Sequence, residues 1–348
     1  MAFYLDEKIV ANSRGAKSQW DEVGNRRKGF ELHERAMAAN HGLTVNEARI
    51  PADVYRSMDA QTKQLMTGDE GGVLLDDLLP LAKSVNVGKI VAEYRQVSDA
   101  GSAQSSISGQ HAKLMDKVQY DYDGTLVLIH DSAVGREWRE LEGMRSEGFD
   151  ALIDDQAAAV RAVRRKLVDN MLNGEPGVLY KGQASYGIKN SPNTQPLDLG
   201  AGGLNIDMTL AATTFAQMET VIIAGLKVLQ GKANNVETDV TVYVSPEIWF
   251  NALRRQTNDG AYETFLTALR RIPGVRDIKK TNAMSGNEFL MIAMSSEFIQ
   301  PVVGMGLTTT PITRLTPYAD YNLLVWTAAG LQIKADAKGR SGVLYASA

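Results

Sequence analysis

The chain has 348 residues, no cysteine and a formal net charge of −4, with 44% hydrophobic and 22% charged residues. The missing thiols exclude disulfides, thiolate metal sites and cysteine nucleophiles, and the charge supplies no global basic field for gripping nucleic acid. The longest apolar runs, such as TVIIAGL at 220–226, fall well short of the roughly 18 residues a membrane span needs.

Length alone suggests about two domains. The first residues, MAFYLDEKIVANSRG, lack the basic start and apolar core of a signal peptide, so the expectation is a soluble chain, intracellular at synthesis. Residues 1–74 read as an arm, with helical stretches expected at 20–39 and 46–66 and GDEGG at 68–72 as punctuation. Apolar residues such as Phe30, Leu32, Val54, Met58 and Leu65 imply that the arm packs over something.

Strand signals begin at Val87. VGKIVAEYRQVSD is rich in residues that suit a pleated surface, and KVQYDYD at 117–123 alternates polar and apolar, the period of a strand with one wet face. TLVLI at 125–129 reads as fully buried. Between the strands lies DAGSAQSSISGQHA, residues 99–112, a polar tip with no apolar anchor except Ile107. Together they make a long hairpin with a soft end.

A helix over 148–172 follows. Phe149, Leu152, Ile153, Val160, Val163, Leu167 and Met171 form one apolar stripe. Asp150, Asp154 and Asp155 precede Arg161, Arg164, Arg165 and Lys166, an order that complements the helix dipole, and Gly174 ends the helix. Residues 174–205 read as a loop-rich connection. A second amphipathic helix is expected at 209–229, then strand DVTVYVS, helix PEIWFNALRR opened by Pro246, helix YETFLTALRR, strand EFLMIAM, and strands again within 320–346. The class is α+β.

Chemistry is sparse. The histidines, His33, His41, His111 and His130, are not at metal-ligand spacing. Ser102, Ser105, Ser106 and Ser108 crowd the tip near His111 and Asp99, but no G-x-S-x-G frame surrounds them, and serine suits a solvated loop. No Walker motif occurs. YDYDG at 120–124 echoes a calcium loop without the rest of its ligand set; polar positions on an exposed strand face are the simpler reading. The cluster Arg161, Arg164, Arg165 and Lys166 could face nucleic acid or a partner's acids, or form a solvated helix face. Adjacent Asp154 and Asp155 point different ways on a helix and make no acid–base pair. Neither a cofactor nor a metal is expected.

The order of pieces resembles the major capsid proteins of tailed phages, with the HK-ninety-seven capsid fold. LVDNMLNGEP leading to YGIKN is similar to the end of that family's spine helix and the passage after it. DVTVYVSPEIWFNALRR is similar to its strand-then-helix step. EFLMIAMSSEFIQPVVGMGLTTTPITR and LQIKADAKGRSGVLYASA are similar to its later strands. The resemblance implies an N-terminal arm (1–74) and a peripheral domain (75–208) with an extended loop (87–130) and a spine helix (148–172). An axial domain (209–300) would follow, with 301–348 returning to the peripheral domain before ending in the axial one.

It further implies an icosahedral shell of hexamers and pentamers around double-stranded DNA, in a virion assembled in the host cytoplasm. Asp99, Ser102, Ser105, Ser108 and His111 would lie on the inter-subunit loop. Phe149, Leu152, Val160, Val163 and Leu167 would form the spine helix's core face, with Arg161, Arg164, Arg165 and Lys166 toward the interior. A portal protein, a decoration protein and, since the arm starts at Met1, a separate scaffolding protein are the implied partners; no membrane is. Two rivals stand beside this reading: an encapsulin-like compartment, against which the long arm counts, and a soluble α+β enzyme whose 99–112 loop is a lid.

Overall fold

In the computed structural model the described residues are 25–26, 28–29, 32, 71–100, 105, 107, 117–146, 150–255 and 263–348. The chain forms two compact units, Met1–Met66 and Thr67–Ala348. In the first, Asn25, Arg26, Lys28, Gly29 and Leu32 are helical and exposed; the rest of the expected arm helices lie outside the described residues.

The second unit opens with α1 (Gly72–Leu78), a 3-10 turn (Leu79–Leu81), β1 (Lys83–Ser84), β2 (Val91–Val97), β3 (Tyr120–Leu126) and β4 (Leu128–Arg136). Helices α2 (Trp138–Ser146) and α3 (Ala151–Asn173) follow, then β5 (Gly174–Tyr180), β6 (Gln183–Tyr186) and β7 (Gln195–Asp198). Next come α4 (Phe215–Gln230), β8 (Val240–Val244), α5 (Pro246–Ala252), α6 (Phe265–Leu269) and β9 (Val275–Lys280). Strands β10 (Phe289–Ala293), β11 (Ile299–Pro311), β12 (Tyr321–Ile333) and β13 (Val343–Ser347) end the chain.

Two sheets organise these elements. One has strand order β7-β13-β10-β8-β9 and mixes parallel and antiparallel pairs. Every residue of β8 and β10 is buried, because both faces are covered, and such strands read as unbroken apolar runs. On one face Val242, Val244, Met291 and Leu344 pack with Met218, Val221, Ile222 and Leu229 of α4. On the other, Tyr243, Leu290, Ile292 and Val343 meet Leu74, Leu75 and Leu78 of α1 and Val168, Met171 and Leu172 of α3. Asp77 pins α1 there: its carboxylate accepts from Tyr243 Oη at 2.6 Å and Lys279 Nζ at 2.7 Å. Elsewhere on that sheet Glu288 ties Lys189, which follows β6, to Tyr345 of β13, accepting from Lys189 Nζ and Tyr345 Oη, both at 2.7 Å. The core therefore begins inside the segment assigned to the arm, since Leu74 is only 1% exposed.

The second sheet, β1-β11-β12-β4, is overlaid by α3. Asp150 caps this 23-residue helix by accepting from Leu152 N at 3.1 Å, and at about 1.5 Å per residue it spans roughly 35 Å. Asp155 receives Arg136 of β4 in a bidentate pair at 2.5 and 3.0 Å, and Gln156 donates to Thr309 of β11 at 3.1 Å. These contacts fix the helix rotation. Ile153, about 160° round the helix from Asp155, is consequently turned out and 64% exposed, against the expected stripe. Ala159 and Val163, both 2% exposed, meet Val325 of β12.

Three further expectations are corrected. The loop-rich 174–205 segment contains the β5–β6 hairpin and β7, and β7 enters the five-stranded sheet ahead of the expected boundary at 208. The helix expected from 209 starts at Phe215, where Thr214 and Gln217 form a reciprocal capping box. TLVLI is not one buried strand: Val127 separates β3, which pairs with β2, from β4, which pairs with β12. The β2–β3 ribbon therefore ends at Leu126, and Leu128–His130 belong to the four-stranded sheet.

Candidate functional site

The strands β2 and β3 pair with each other and with no strand of either sheet, in register from Val91↔Leu126 to Val97↔Tyr120. Directly paired residues share a face, so the ribbon has two faces of different chemistry. One carries Ala92, Tyr94, Asp123 and Thr125; the other carries Arg95, Val97, Tyr120 and Tyr122.

The first face sits on the subunit's own body through hydrogen bonds. Tyr94 Oη donates to Asp123 Oδ2 at 3.0 Å and accepts from Ala335 N at 3.1 Å. Asn193 Nδ2 donates to Asp123 Oδ2 at 3.0 Å and to Ile333 O at 2.9 Å. Gln332 Nε2 donates to Ala92 O at 2.8 Å. Burial, the largest influence, pushes the Tyr94 phenol above its ordinary value. The root is tight: on β12, a side chain at Gly330 would run into Leu126 O, so only glycine lets the ribbon leave the body there.

The second face is covered at its root, where Leu126 is buried, but open toward the tip. Val97 is 50% exposed, Val118 39%, Tyr120 60% and Tyr122 56%. Arg95 lies over both tyrosine rings, its guanidinium carbon 5.4 and 5.9 Å from their centroids. The alternation in KVQYDYD is thus inverted from the expectation: Asp123, on the side expected to be wet, is seated on the body, and the apolar side is left outward. The polar seat is what draws Asp123 inward.

Of the tip residues, Asp99 is exposed with Lys338 Nζ 3.8 Å away, Ser105 is exposed, and Ile107 is fully in solvent. Ser102, Ser108, His111 and Phe149 lie outside the described residues. Leu152, Val160 and Leu167 are half-buried and Val163 is buried. In the basic cluster, Arg164 pairs with Asp76 at 2.9 Å and Lys166 with Glu175 at 2.6 Å, and Arg161 and Arg165 are also engaged. His130 is 6% exposed on β4 with no partner for Nε2; burial first, then Lys166, lowers its pKa.

Among the described residues no three His, Cys, Asp or Glu side chains gather as a metal site, and no helix is long and apolar enough to cross a membrane. Leu75, Val163, Leu167 and Leu307 line an apolar cavity of about 180 Å³ whose only titratable wall groups are Asp76 and Arg164. The residues that seat the ribbon, Tyr94, Asn193 and Gln332, were not singled out from sequence. They are far apart in the chain, and no local spacing marks them.

A family model described as a family of unknown function, DUF6260, matches residues 44–346. The chain belongs to DUF6260. No curated protein matches it. Among solved structures, the DUF6260 chain is similar to the capsid of Myoviridae phage XM1, at 14% identity and TM-score 0.65 over 87% of this chain and 99% of that one. A structure from Mycobacterium phage Bobi matches at 14% identity and TM-score 0.58 over 83% and 95%. A virus-like particle from Pyrococcus furiosus matches at 14% identity and TM-score 0.52 over 79% and 97%. At such identities the likeness is one of fold, and the fold of this DUF6260 chain is that of tailed-phage major capsid proteins.

Proposed function

We propose that the chain is a shell-forming coat protein, the major capsid protein of a tailed phage, assembling through hexamers and pentamers around packaged double-stranded DNA. The observation that carries this reading is the ribbon with a polar face seated on its own subunit and an aromatic face left in water. An isolated two-stranded ribbon is marginal in water, and contiguous exposed apolar surface marks an interaction site. A second copy of the chain is the partner that the capsid fold supports, because a contact between unlike surfaces of identical chains builds rings wherever its rotation closes. Portal, scaffolding and decoration proteins belong to the same proposal. The likeness to the Pyrococcus virus-like particle supports a second reading, a cellular compartment shell. Negative-stain microscopy of the purified chain tests the shared claim: closed particles are expected, and a stable monomer or dimer under assembly conditions overturns it. Packaged DNA inside the particles supports the phage coat; a cargo enzyme supports the compartment.

A further inference from the structure

Beneath the ribbon's seated face lies a cavity of about 40 Å³ whose wall includes Tyr94, Asp123, Thr125, Ser191, Asn193 and Gln332. Thr125 is 4% exposed, and its hydroxyl has no hydrogen-bond partner among the protein groups. A buried hydroxyl without a partner is unfavourable, and its neighbours offer no direct relief, since Tyr94 and Asn193 already direct their hydrogens at Asp123 Oδ2.

A cavity needs roughly 10–15 Å³ to admit a water molecule, so this one has room for at least one. Apolar cavities of modest size stay dry; this one has phenol, carboxylate, hydroxyl and amide groups in its wall beside Ala184, Pro192, Leu331 and Ile333. The mixture of donors and acceptors suits water better than a bare cation, because the Asn193 amide and Tyr94 phenol already present positive hydrogens to the one carboxylate.

We propose that this cavity is a structural hydration site at the root of the ribbon, in which bound water completes the hydrogen bonding of Thr125 and bridges it to the Asp123–Asn193 side of the wall. The ribbon is then seated through exchangeable water-mediated bonds as well as direct ones. The proposal does not depend on whether the chain forms a shell.

Thr125→Val keeps the side chain's branched shape and strand preference and replaces the hydroxyl by a methyl group. If water is bound, a high-resolution structure of the full chain has density within hydrogen-bond reach of Thr125 Oγ1, and the valine variant loses it. That variant also melts about 2–4 °C lower, with faster hydrogen exchange at the amides of β2 and β3 and unchanged exchange in β10. Thr125→Ser retains the water and the melting temperature more nearly. A dry cavity gives the opposite sign: no density, and a valine variant that melts higher because the orphaned hydroxyl is gone. That outcome, or unchanged ribbon exchange in the valine variant, overturns the proposal.

Discussion

Replacing both outward tyrosines, Tyr120→Thr with Tyr122→Thr, separates folding from assembly. A tyrosine presents roughly 200 Å², so exposures of 60% and 56% leave on the order of 120 and 110 Å² available for a neighbour to cover. At about 25 cal/mol per Å² this is up to about 3 kcal/mol for each ring. Imperfect cover and ordering costs reduce the sum, so about 3 kcal/mol for the pair is a reasonable working figure, roughly a hundredfold in the equilibrium of each contact. In the lone subunit both rings already face water, so the loss there is confined to their stacking on Arg95, on the order of 0.5 kcal/mol. The assay pairs thermal melting of unassembled subunit with light scattering during assembly. The expected result is a nearly unchanged melting temperature and a large rise in the concentration needed for particles. Unchanged assembly, or a melting loss large enough to explain the assembly defect, refutes the reasoning.

Val163→Asp places a charge where Val163 packs against Ala159 and Val325, and a buried charge without a partner costs several kcal/mol; insoluble or unfolded protein on expression is expected, whereas a soluble, assembling variant contradicts the helix packing. Gly330→Ala drives a methyl into Leu126 O, so a melting temperature several degrees lower is expected by calorimetry. His130 titrates below its ordinary 6.5 in the folded chain, so the unfolded state binds more protons between the two values and stability falls as pH drops through about 6.5. Lys166 opposes its protonation, while Glu175, Asp169 and Asp131 favour it. Denaturant titrations from pH 7.5 to 5 are expected to slope less in His130→Gln. Glu288 acts in a separate, more acid window. Burial alone would raise its pKa, but bonds from Lys189, Tyr345 and the Ser285 amide hold it below its ordinary 4.5. Its contribution is present above about 4.5 and is lost as pH falls through the lower folded value.

The elements that could be read from sequence are those whose signal is local. The long helix has an amphipathic pattern over six turns and an acidic start, and β8 and β10 are apolar runs covered on both faces. The β5–β6 hairpin was hidden because its turn is Lys181–Gly182, with φ of 50° and 82°, where the usual hairpin signal is Asn-Gly or Asp-Gly. The start of α4 was marked by Thr214 and Gln217, a capping box that periodicity alone overlooks. Helix α2 went unread, its mean composition being strongly polar. The ribbon's existence followed from composition, but its orientation did not. Which face of β3 is seated depends on Asn193, Gln332 and Ala335, residues 70 or more positions away along the chain from Asp123, and alternation cannot tell an inward face from an outward one when the seat is polar.

Because the chain has no cysteine, a single Tyr120→Cys substitution gives one thiol on the uncovered face of the ribbon. Its rate of maleimide labelling, compared between dissociated subunits and purified particles, reads directly whether a sister molecule covers that face. Fast labelling in the subunit and strong protection in the particle are expected. Equal rates in both states would contradict the claim that the ribbon's aromatic side is an inter-subunit surface.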